Sequence, residues 1–242
     1  MAQTGCFLPA TRCMKPSTNT KPEKSGTGKP ADDLMNEQKA REFDEIATTV
    51  FAPIYPVIAG QILERTRKRS GTAIDLGSGP GLLAIALAEQ SDLRVFALDL
   101  SPAMLMVAAE HVRASGLVRR VVPVLGDVHD MPFDDSTVDL VASRGSWFFW
   151  DDLGRAFKEI HRVLAPGGLA CIGGGFGNAG LKDEIHRTML QRGPEWEKGV
   201  QERSRKNNPD RIREELDKAG ISSYRFIQDE TGFWAVIEKE RK

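Results

Sequence analysis

The chain has 242 residues, and its 33 Lys and Arg side chains nearly balance 34 Asp and Glu, so the formal net charge at pH 7 is −1. A charge so close to zero gives no general attraction for nucleic acid or for an anionic membrane surface, and we expect neither as a partner. No apolar run approaches the ~20 residues that cross a bilayer, and the first residues lack a secretory pattern. Three cysteines form neither a disulfide framework nor a metal quartet, so we expect a cytoplasmic protein without a metal site.

The first part of the chain is rich in Thr, Ser, Pro, Lys and Gly and has no apolar periodicity, which predicts a disordered tail over residues 1–33. From about Asp32 the pattern becomes helical, with apolar residues that share one face of a helix. These residues are Phe43, Ile46, Ala47 and Val50. A second helical stretch follows and ends in a basic run, so we expect residues 34–71 to form a helical N-terminal segment.

From Thr72 onward, short apolar runs alternate with helical periods, which predicts an α/β fold with a doubly wound, mostly parallel sheet. The predicted parallel strands cover residues 72–76, 94–98, 121–125, 138–142 and 169–172. Two further strands are predicted at 223–228 and 232–238, with only a short turn between them. That spacing is typical of an antiparallel hairpin, which we expect at the edge of the sheet.

The loop that contains Gly77, Gly79 and Gly81 joins the first predicted strand to an apolar helix. Glycines let the backbone turn sharply and approach a ligand, and the helix N-terminus presents unpaired N–H groups, so we expect a nucleotide-like ligand here. Asp75 precedes the glycines and would repel a pyrophosphate, which indicates a ligand with positive charge at this point. Asp99 ends the next strand, where a carboxylate can accept hydrogen bonds from both ribose hydroxyls. Together these residues predict a nucleoside that carries an ammonium group.

Five segments, in this order and spacing, carry a resemblance to a known family: DLGSGPG, ALDLSPAML, GDVHDMPF, FDDSTVDLV and EIHRVLAPGG. They resemble the class I S-adenosylmethionine-dependent methyltransferases, and within them the group typified by the ubiquinone and menaquinone biosynthesis enzymes. The resemblance covers roughly residues 43–175. It implies a Rossmann-like sheet of about seven strands with the last one antiparallel, a helical lid over residues 34–71 and a methyltransferase domain over residues 72–242. It also implies S-adenosylmethionine as the cofactor and a small molecule as the methyl acceptor.

The resemblance assigns the cofactor site residue by residue. The methionine part of the cofactor would be held by Asp75, Gly77, Ser78, Gly79 and Gly81. The ribose and the adenine would be contacted by Asp99, Leu100, Met104, Asp127 and Val128. We add Ser143, at the end of the fourth predicted strand, to this cofactor-binding set.

In doubly wound sheets, ligands bind outside the carboxyl ends of the strands, and the segment SRGSWFFW follows the fourth strand there. Arg144 in this segment could bind a carboxylate or phosphate of the substrate, and Trp147 could stack on an aromatic or cationic group. Tyr55 lies in the segment that closes over the cofactor in similar enzymes, so we expect it at the reacting methyl as a catalytic or substrate-binding residue, with simple packing as the alternative. His129, just after Asp127, is the candidate general base, with an exposed loop histidine as the alternative.

A second glycine motif, GFGNAG at residues 175–180, matches the dinucleotide-binding pattern in form. It follows the fifth strand, however, and no acidic residue ends a strand at the distance that a dinucleotide site needs. We therefore interpret the glycines from Gly173 to Gly177 as leaving space beside the cofactor or as letting the chain bend into a lid.

The sequence thus predicts an enzyme that transfers the methyl group of S-adenosylmethionine to a small-molecule acceptor by in-line displacement. Nucleic acid bases are disfavoured as acceptors, because SRGS is not the Asn/Asp-Pro-Pro-aromatic signature of the enzymes that methylate them. Two alternatives stay open: a module that binds S-adenosylmethionine as a sensor without turnover, and a nicotinamide-dependent oxidoreductase. The acceptor atom, the need for a general base and the oligomeric state are not determined by the sequence.

Overall fold

The structure, a computed structural model, describes residues 14–15, 35–206 and 208–241. Most of the predicted tail, including Cys6 and Cys13, lies outside the described residues. For Met14 and Lys15 the prediction of a disordered tail is wrong. Met14 forms an isolated antiparallel bridge with Phe133 and packs against the core, and the backbone N–H of Lys15 donates to the carbonyl of Pro132 at 3.3 Å.

Helices and strands alternate after two N-terminal helices. The helices are α1 (Glu37–Thr49), α2 (Ile54–Thr66), α3 (Leu82–Glu89), α4 (Pro102–Ala114), α5 (Leu153–Val163), α6 (Ala179–Arg192), α7 (Glu195–Lys206) and α8 (Pro209–Lys218). The strands are β1 (Ser70–Leu76), β2 (Asp92–Asp99), β3 (Val121–Leu125), β4 (Val138–Arg144), β5 (Leu164–Gly175), β6 (Tyr224–Asp229) and β7 (Gly232–Glu238). Helix α1 begins later than the predicted start near Asp32, because the side chain of Asn36 caps it by accepting from the N–H of Lys39 at 2.8 Å.

The seven strands form one sheet in the order β3-β2-β1-β4-β5-β7-β6, which confirms the predicted doubly wound fold. Strands β1 to β5 are parallel, and β7 runs antiparallel to both β5 and β6. The strand order reverses between β1 and β4, so the helices that follow these two strands leave toward opposite faces. A crevice opens at the carboxyl ends of strands at such a point, and Asp75 and Ser143 lie there.

Two hydrophobic clusters cover the two faces of the sheet. One packs α5 and α8 against the face that carries Ile74 and Leu76, and the other packs α2 and α3 against the face that carries Ala73. This alternation follows from the two-residue period of a strand, and each fully buried large side chain contributes ~1.5–3 kcal/mol. Within the described part of the chain no single helix is long and apolar enough to cross a membrane, and α1 and α2 meet that criterion only as a pair bent by 77°.

Strand β5 differs from its prediction at both ends. It begins at Leu164 and not at Leu169, and it includes the Pro-Gly-Gly segment, at which the register against β4 shifts. The prediction that Gly173 leaves space beside the cofactor is wrong, because a side chain there would collide with the backbone of β7 at Phe233. Gly177 has φ +82° and lies against Val57 of α2, so it does bend the chain before α6. These glycines allow close packing of backbone and do not form a cofactor loop.

Candidate cofactor and acceptor site

The glycine loop after β1 is held tightly on one side. Gly77, Gly79 and Gly81 all have positive φ, a backbone conformation that side chains disfavour. A side chain on Gly77 would also overlap Ser146, which follows β4. The N–H of Gly79 donates to the carboxylate of Asp99 at 2.8 Å, so the loop is fixed to the end of β2 as well. The loop therefore has one defined shape before any ligand binds.

Asp75 is the most unusual group at this site, because its side chain is only 2% exposed. Burial raises the pKa of Asp75 to about 8, although the backbone N–H of Ala84 lowers it in part and the charge of Asp99 raises it further. Its Oδ2 atom has no hydrogen-bond partner among the described residues, and neither has the buried hydroxyl of Ser78. A buried carboxylate oxygen without a donor is unfavourable unless a ligand supplies one. The methionine ammonium of S-adenosylmethionine fits this requirement.

Asp99 links the loop to the place predicted for the ribose. Its carboxylate accepts from the backbone N–H groups of Gly79 at 2.8 Å and Ser101 at 2.9 Å. Burial raises the pKa of Asp99, and the N–H groups of Ser101, Gly79 and Leu100 lower it. Because a carboxylate offers about four lone-pair positions, these three N–H groups leave room for a ribose hydroxyl.

The residues predicted to surround the adenine differ in accessibility. Leu100 is 56% exposed and the side chain of Asp127 is 46% exposed, so both present open surface beyond β2 and β3. Met104 and Val128 are buried, Met104 beside Ala40 of α1 and Val128 in the core under the sheet. The structure thus leaves Leu100 and Asp127 as the predicted residues that an adenine ring can reach directly.

His129 lies between Asp127 and the start of α5. Its Nδ1 is 2.6 Å from Oδ1 of Asp127, and its Nε2 is 3.3 Å from the backbone N–H of Asp152. The neutral tautomer with the proton on Nδ1, assigned from these partners, satisfies both contacts. Both ring nitrogens are therefore engaged, and the structure does not support the predicted role of His129 as a general base.

Ser143 was predicted to contact the cofactor, but its hydroxyl is fully buried and bonded within the protein. It donates to the carbonyl of Leu76 at 2.9 Å, and the hydroxyl of Ser146 lies 3.0 Å from the same carbonyl. The two hydroxyl oxygens are 2.6 Å apart. We correct the role of Ser143 to one of holding the end of β1 against β4, and Ser146 is a residue at this site that the sequence analysis missed.

Arg144 and Tyr55 lie in one electrostatic neighbourhood above the end of β4. The guanidinium of Arg144 donates to the carbonyl of Gly175 at 3.2 and 3.3 Å and lies 5.2 Å from the ring centre of Phe51. Burial raises the pKa of the Tyr55 hydroxyl, the charge of Arg144 lowers it, and the carboxylate of Asp75 raises it. Tyr55 also lines a cleft of about 230 Å³ between α3 and the turn from α1 to α2. The structure thus brings together two of the three residues predicted to contact the substrate.

Trp147, the third of these residues, is 1% exposed. Its ring centre lies 6.1 Å from that of Phe148 and 5.4 Å from that of Phe233. The predicted stacking of Trp147 on the substrate is therefore wrong for this conformation, because the side chain is buried against other aromatic rings.

Helix α1 lies beside the glycine loop, which is the position that a lid requires. Phe43 on this helix is 46% exposed, and its ring is 3.7 Å from the place where a Cβ atom on Gly79 would be. Polar side-chain contacts hold α1 in place: Arg41 binds Glu110 at 2.5 and 2.7 Å, Asp44 binds His111 at 2.7 Å, and Glu45 binds Arg192 at 2.8 Å. The sequence analysis placed Phe43 on an apolar helix face, and its spacing alone could not show that this ring faces the loop.

The described residues contain no group of three His, Cys, Asp or Glu side chains that could hold a metal ion. The polar side-chain atoms that remain at the site are instead oxygens suited to a nucleoside. Asp75, Ser78 and Asp99 offer acceptors where the methionine and ribose are expected.

Comparisons with known proteins agree with this geometry. A family profile described as a methyltransferase domain matches residues 74–172. A crystal structure assigned as an S-adenosyl-L-methionine-dependent methyltransferase from Methanococcus maripaludis superposes with a TM-score of 0.84. The two chains are 43% identical over 90% of this chain and 99% of that one.

Two curated relatives are similar over shorter regions. The chloroplastic 2-methyl-6-phytyl-1,4-hydroquinone methyltransferase 2 of Oryza sativa is 36% identical over 100 residues, which are 41% of this chain and 28% of that protein. Demethylmenaquinone methyltransferase of Chlorobaculum tepidum is 33% identical over 105 residues, which are 43% of this chain and 41% of that protein. The matched region spans less than half the length of each of these relatives.

Proposed function

Because this chain belongs to the S-adenosylmethionine-dependent methyltransferases, we propose that it transfers the methyl group of this cofactor to a small-molecule acceptor by in-line displacement. The observation that carries the proposal is the buried carboxylate of Asp75 at the point where the strand order reverses, because its Oδ2 has no donor within the described part of the chain. A dinucleotide would place a pyrophosphate at such a loop, and a buried carboxylate there would repel it.

When bound, S-adenosylmethionine supplies a methyl group on a positively charged sulfur. Asp75 would accept a hydrogen bond from the ammonium of its methionine part, and the hydroxyl of Ser78 would donate to the same part. Asp99 would accept from its ribose. Leu100 would cover one face of the adenine, while Asp127 would accept from the adenine amino group through Oδ2, because Oδ1 is shared with His129. The chain thus fixes the cofactor through groups that are already held by the sheet.

The acceptor would lie next to Arg144 and Tyr55. Both side chains are hydrogen-bond donors, and Arg144 adds a positive charge at the carboxyl end of β4. We therefore propose an acceptor with an anionic or strongly accepting oxygen or sulfur. The two curated relatives named above act, by their names, on a hydroquinone and on demethylmenaquinone, which is compatible with a small acceptor of this kind.

Calorimetric titration of the purified protein with S-adenosylmethionine, S-adenosylhomocysteine and NAD tests the proposal. We expect binding of the two sulfur nucleosides, loss of that binding in Asp99→Ala, and retention in Asp92→Ala. Asp92 is a matched control because it is exposed at the opposite end of the same strand. Binding of NAD without affinity for S-adenosylmethionine would contradict the proposal.

Turnover is tested separately by measuring S-adenosylhomocysteine formed with a panel of small acceptors. Product above the rate without acceptor supports the enzyme. Binding of the cofactor with no product from chemically diverse acceptors supports instead the sensor, the second function that the sequence left open.

A further inference from the structure

Three carboxylates among the described residues could act as a base near the acceptor place, and the structure gives each of them another partner. Asp99 accepts from three backbone N–H groups, and Asp127 accepts from both the backbone and the ring of His129. Asp44, the carboxylate of α1 that acts on Tyr55, is bonded to His111 at 2.7 Å. None of these carboxylates is therefore directed at an acceptor.

The predicted site residues that remain are His129, Asp75 and Tyr55. His129 has both ring nitrogens bonded, and the lone pair of its Nε2 already accepts from the backbone N–H of Asp152. Asp75 is enclosed beneath the glycine loop, where it faces the place of the cofactor ammonium. Burial favours the protonated form of the Tyr55 hydroxyl, which makes Tyr55 a hydrogen-bond donor at neutral pH.

Arg144 adds a positive charge to the acceptor place. Its positive charge lies at the end of β4, the edge of the sheet at which ligands bind, and lowers the pKa of the Tyr55 hydroxyl. A guanidinium held by Gly175 and Phe51 cannot move far to follow a ligand, and it favours negative charge at one fixed position.

From this arrangement we infer that the acceptor binds as an anion, already free of its proton, and that no side chain among the residues that the structure describes removes a proton during methyl transfer. The inference rests on the proposed function and specifies its substrate class. The fitting compounds are thiols, acidic phenols and enolisable dicarbonyls, in which the nucleophilic atom carries the negative charge or shares it by resonance.

The step balances without a base. The electron pair of the anion forms the new bond to the methyl carbon, the pair of the carbon–sulfur bond returns to sulfur, and the anion becomes a neutral methylated product. Opposite charges thus meet and disappear, so a site with little water strengthens their attraction. Arg144 and Tyr55 orient the anion, and Arg144 must release it once the charge is lost.

Binding of ring-substituted thiophenols provides a test that does not depend on turnover. With the protein saturated in S-adenosylhomocysteine, we expect each thiophenol to bind more tightly as pH rises through its own pKa, so the transition moves with the ring substituent. Aniline, which has the same shape and is neutral, should bind weakly at every pH. Arg144→Gln should weaken thiophenolate binding about 10- to 100-fold and leave aniline unaffected, and Arg144→Lys should restore part of the loss.

Rates then show whether the protein takes the proton. We expect the acid limb of kcat/KM, over which the rate rises with pH, to follow the pKa of the acceptor in the native protein, in His129→Gln and in Tyr55→Phe. If kcat/KM instead rises at the same pH for all thiophenols, and this pH dependence disappears in either variant, the inference is overturned. Turnover of anilines and benzyl alcohols at the same rate as thiophenols would also overturn it.

Cofactor binding separates the two kinds of failure. If S-adenosylmethionine binds and neutral acceptors are methylated, the proposed function stands and the anionic acceptor is rejected. If S-adenosylmethionine does not bind, or binds without turnover of either class, the proposed function fails and the inference fails with it.

Discussion

Ser146 occupies the space in which a side chain on Gly77 would lie. The two residues belong to the ends of β4 and β1, the strands between which the strand order reverses. The glycine loop therefore depends on a segment far away in the chain as well as on its own glycines. Its shape is set by packing between strands, which makes it sensitive to very small side chains.

Gly77→Ala should abolish measurable binding of S-adenosylmethionine and lower the free energy of unfolding by about 1–3 kcal/mol, because the new methyl group meets Ser146 and the residue keeps a positive φ. Gly116→Ala is the matched control, since Gly116 also has positive φ but has open space around it. The control should lose about 1 kcal/mol and bind the cofactor normally. Urea unfolding and calorimetry measure both quantities, and equal behaviour of the two variants would contradict the role of Ser146.

The hydroxyls of Ser143 and Ser146 should act as one unit. Two hydroxyl protons cannot fill the three short contacts among these oxygens and the carbonyl of Leu76, so one serine donates to the other and only one donates to the carbonyl. We expect Ser143→Ala and Ser146→Ala each to lower the free energy of unfolding by about 1–2 kcal/mol, and the double variant to lose less than the sum. Additive losses in urea unfolding would show that the two hydroxyls are independent.

The affinity for S-adenosylmethionine should increase with pH up to about 8. Burial raises the pKa of Asp75 to about 8 in the ligand-free protein, whereas an ammonium ligand is bound by the ionised carboxylate. Binding below pH 8 should therefore release a proton, which calorimetry in buffers of different ionisation enthalpy detects. Asp75→Asn should bind about 10- to 100-fold more weakly and show no such proton release.

The same carboxylate should make the ligand-free protein less stable as pH rises. The pKa of Asp75 is raised in the folded state, so between its ordinary value of 3.8 and about 8 the folded protein holds a proton that the unfolded chain has lost. The contribution of Asp75 to the free energy of unfolding therefore falls across this window, by at most about 1.4 kcal/mol per pH unit. Asp75→Asn should flatten this slope in urea unfolding between pH 5 and 8. If the slope is unchanged in this variant, the pH dependence of stability comes from other groups.

Helix α1 should control the exchange of the cofactor. It buries only Ala40 and Ala47, and half-exposed ion pairs such as Arg41–Glu110 fasten it beside the loop. Glu110→Gln should leave the free energy of unfolding nearly unchanged but raise the dissociation rate of S-adenosylmethionine several-fold in stopped flow. Asp210→Asn, which breaks an exposed pair with Arg213 on α8, is the control and should leave that rate unchanged. High salt should reproduce the effect of Glu110→Gln.

Much of the fold could be predicted because the pattern of residues within each short segment indicates its secondary structure. Alternating apolar runs indicate strands, and residues such as Ser101 and Pro102 mark helix starts that the structure confirms. Asp75 and Asp99 could be identified because their positions at strand ends restrict the charge of the ligand. Local signals failed where a partner from another strand decides the outcome, as for Gly173, whose neighbour is the backbone of β7.

The same limit explains the errors at the site. Trp147 and His129 have the residue types that substrate binding and base catalysis need, but their roles are set by what surrounds them. Phe233, on a strand far along the chain, packs against the Trp147 ring. The N–H of Asp152, at the start of α5, donates to the ring of His129. Neither contact has a pattern in the sequence near the residue concerned.

The carbonyl of Leu76 lies within hydrogen-bond distance of two hydroxyls that are 67 and 70 residues later in the chain. Contacts of such long sequence separation form only after the intervening loop has been closed, which places the completed site late in folding. A chain that ends before β4 would carry every glycine of the loop and still lack the strand that fixes it. Because the cofactor binds the finished arrangement and not its parts, binding draws the whole domain toward the folded state by mass action.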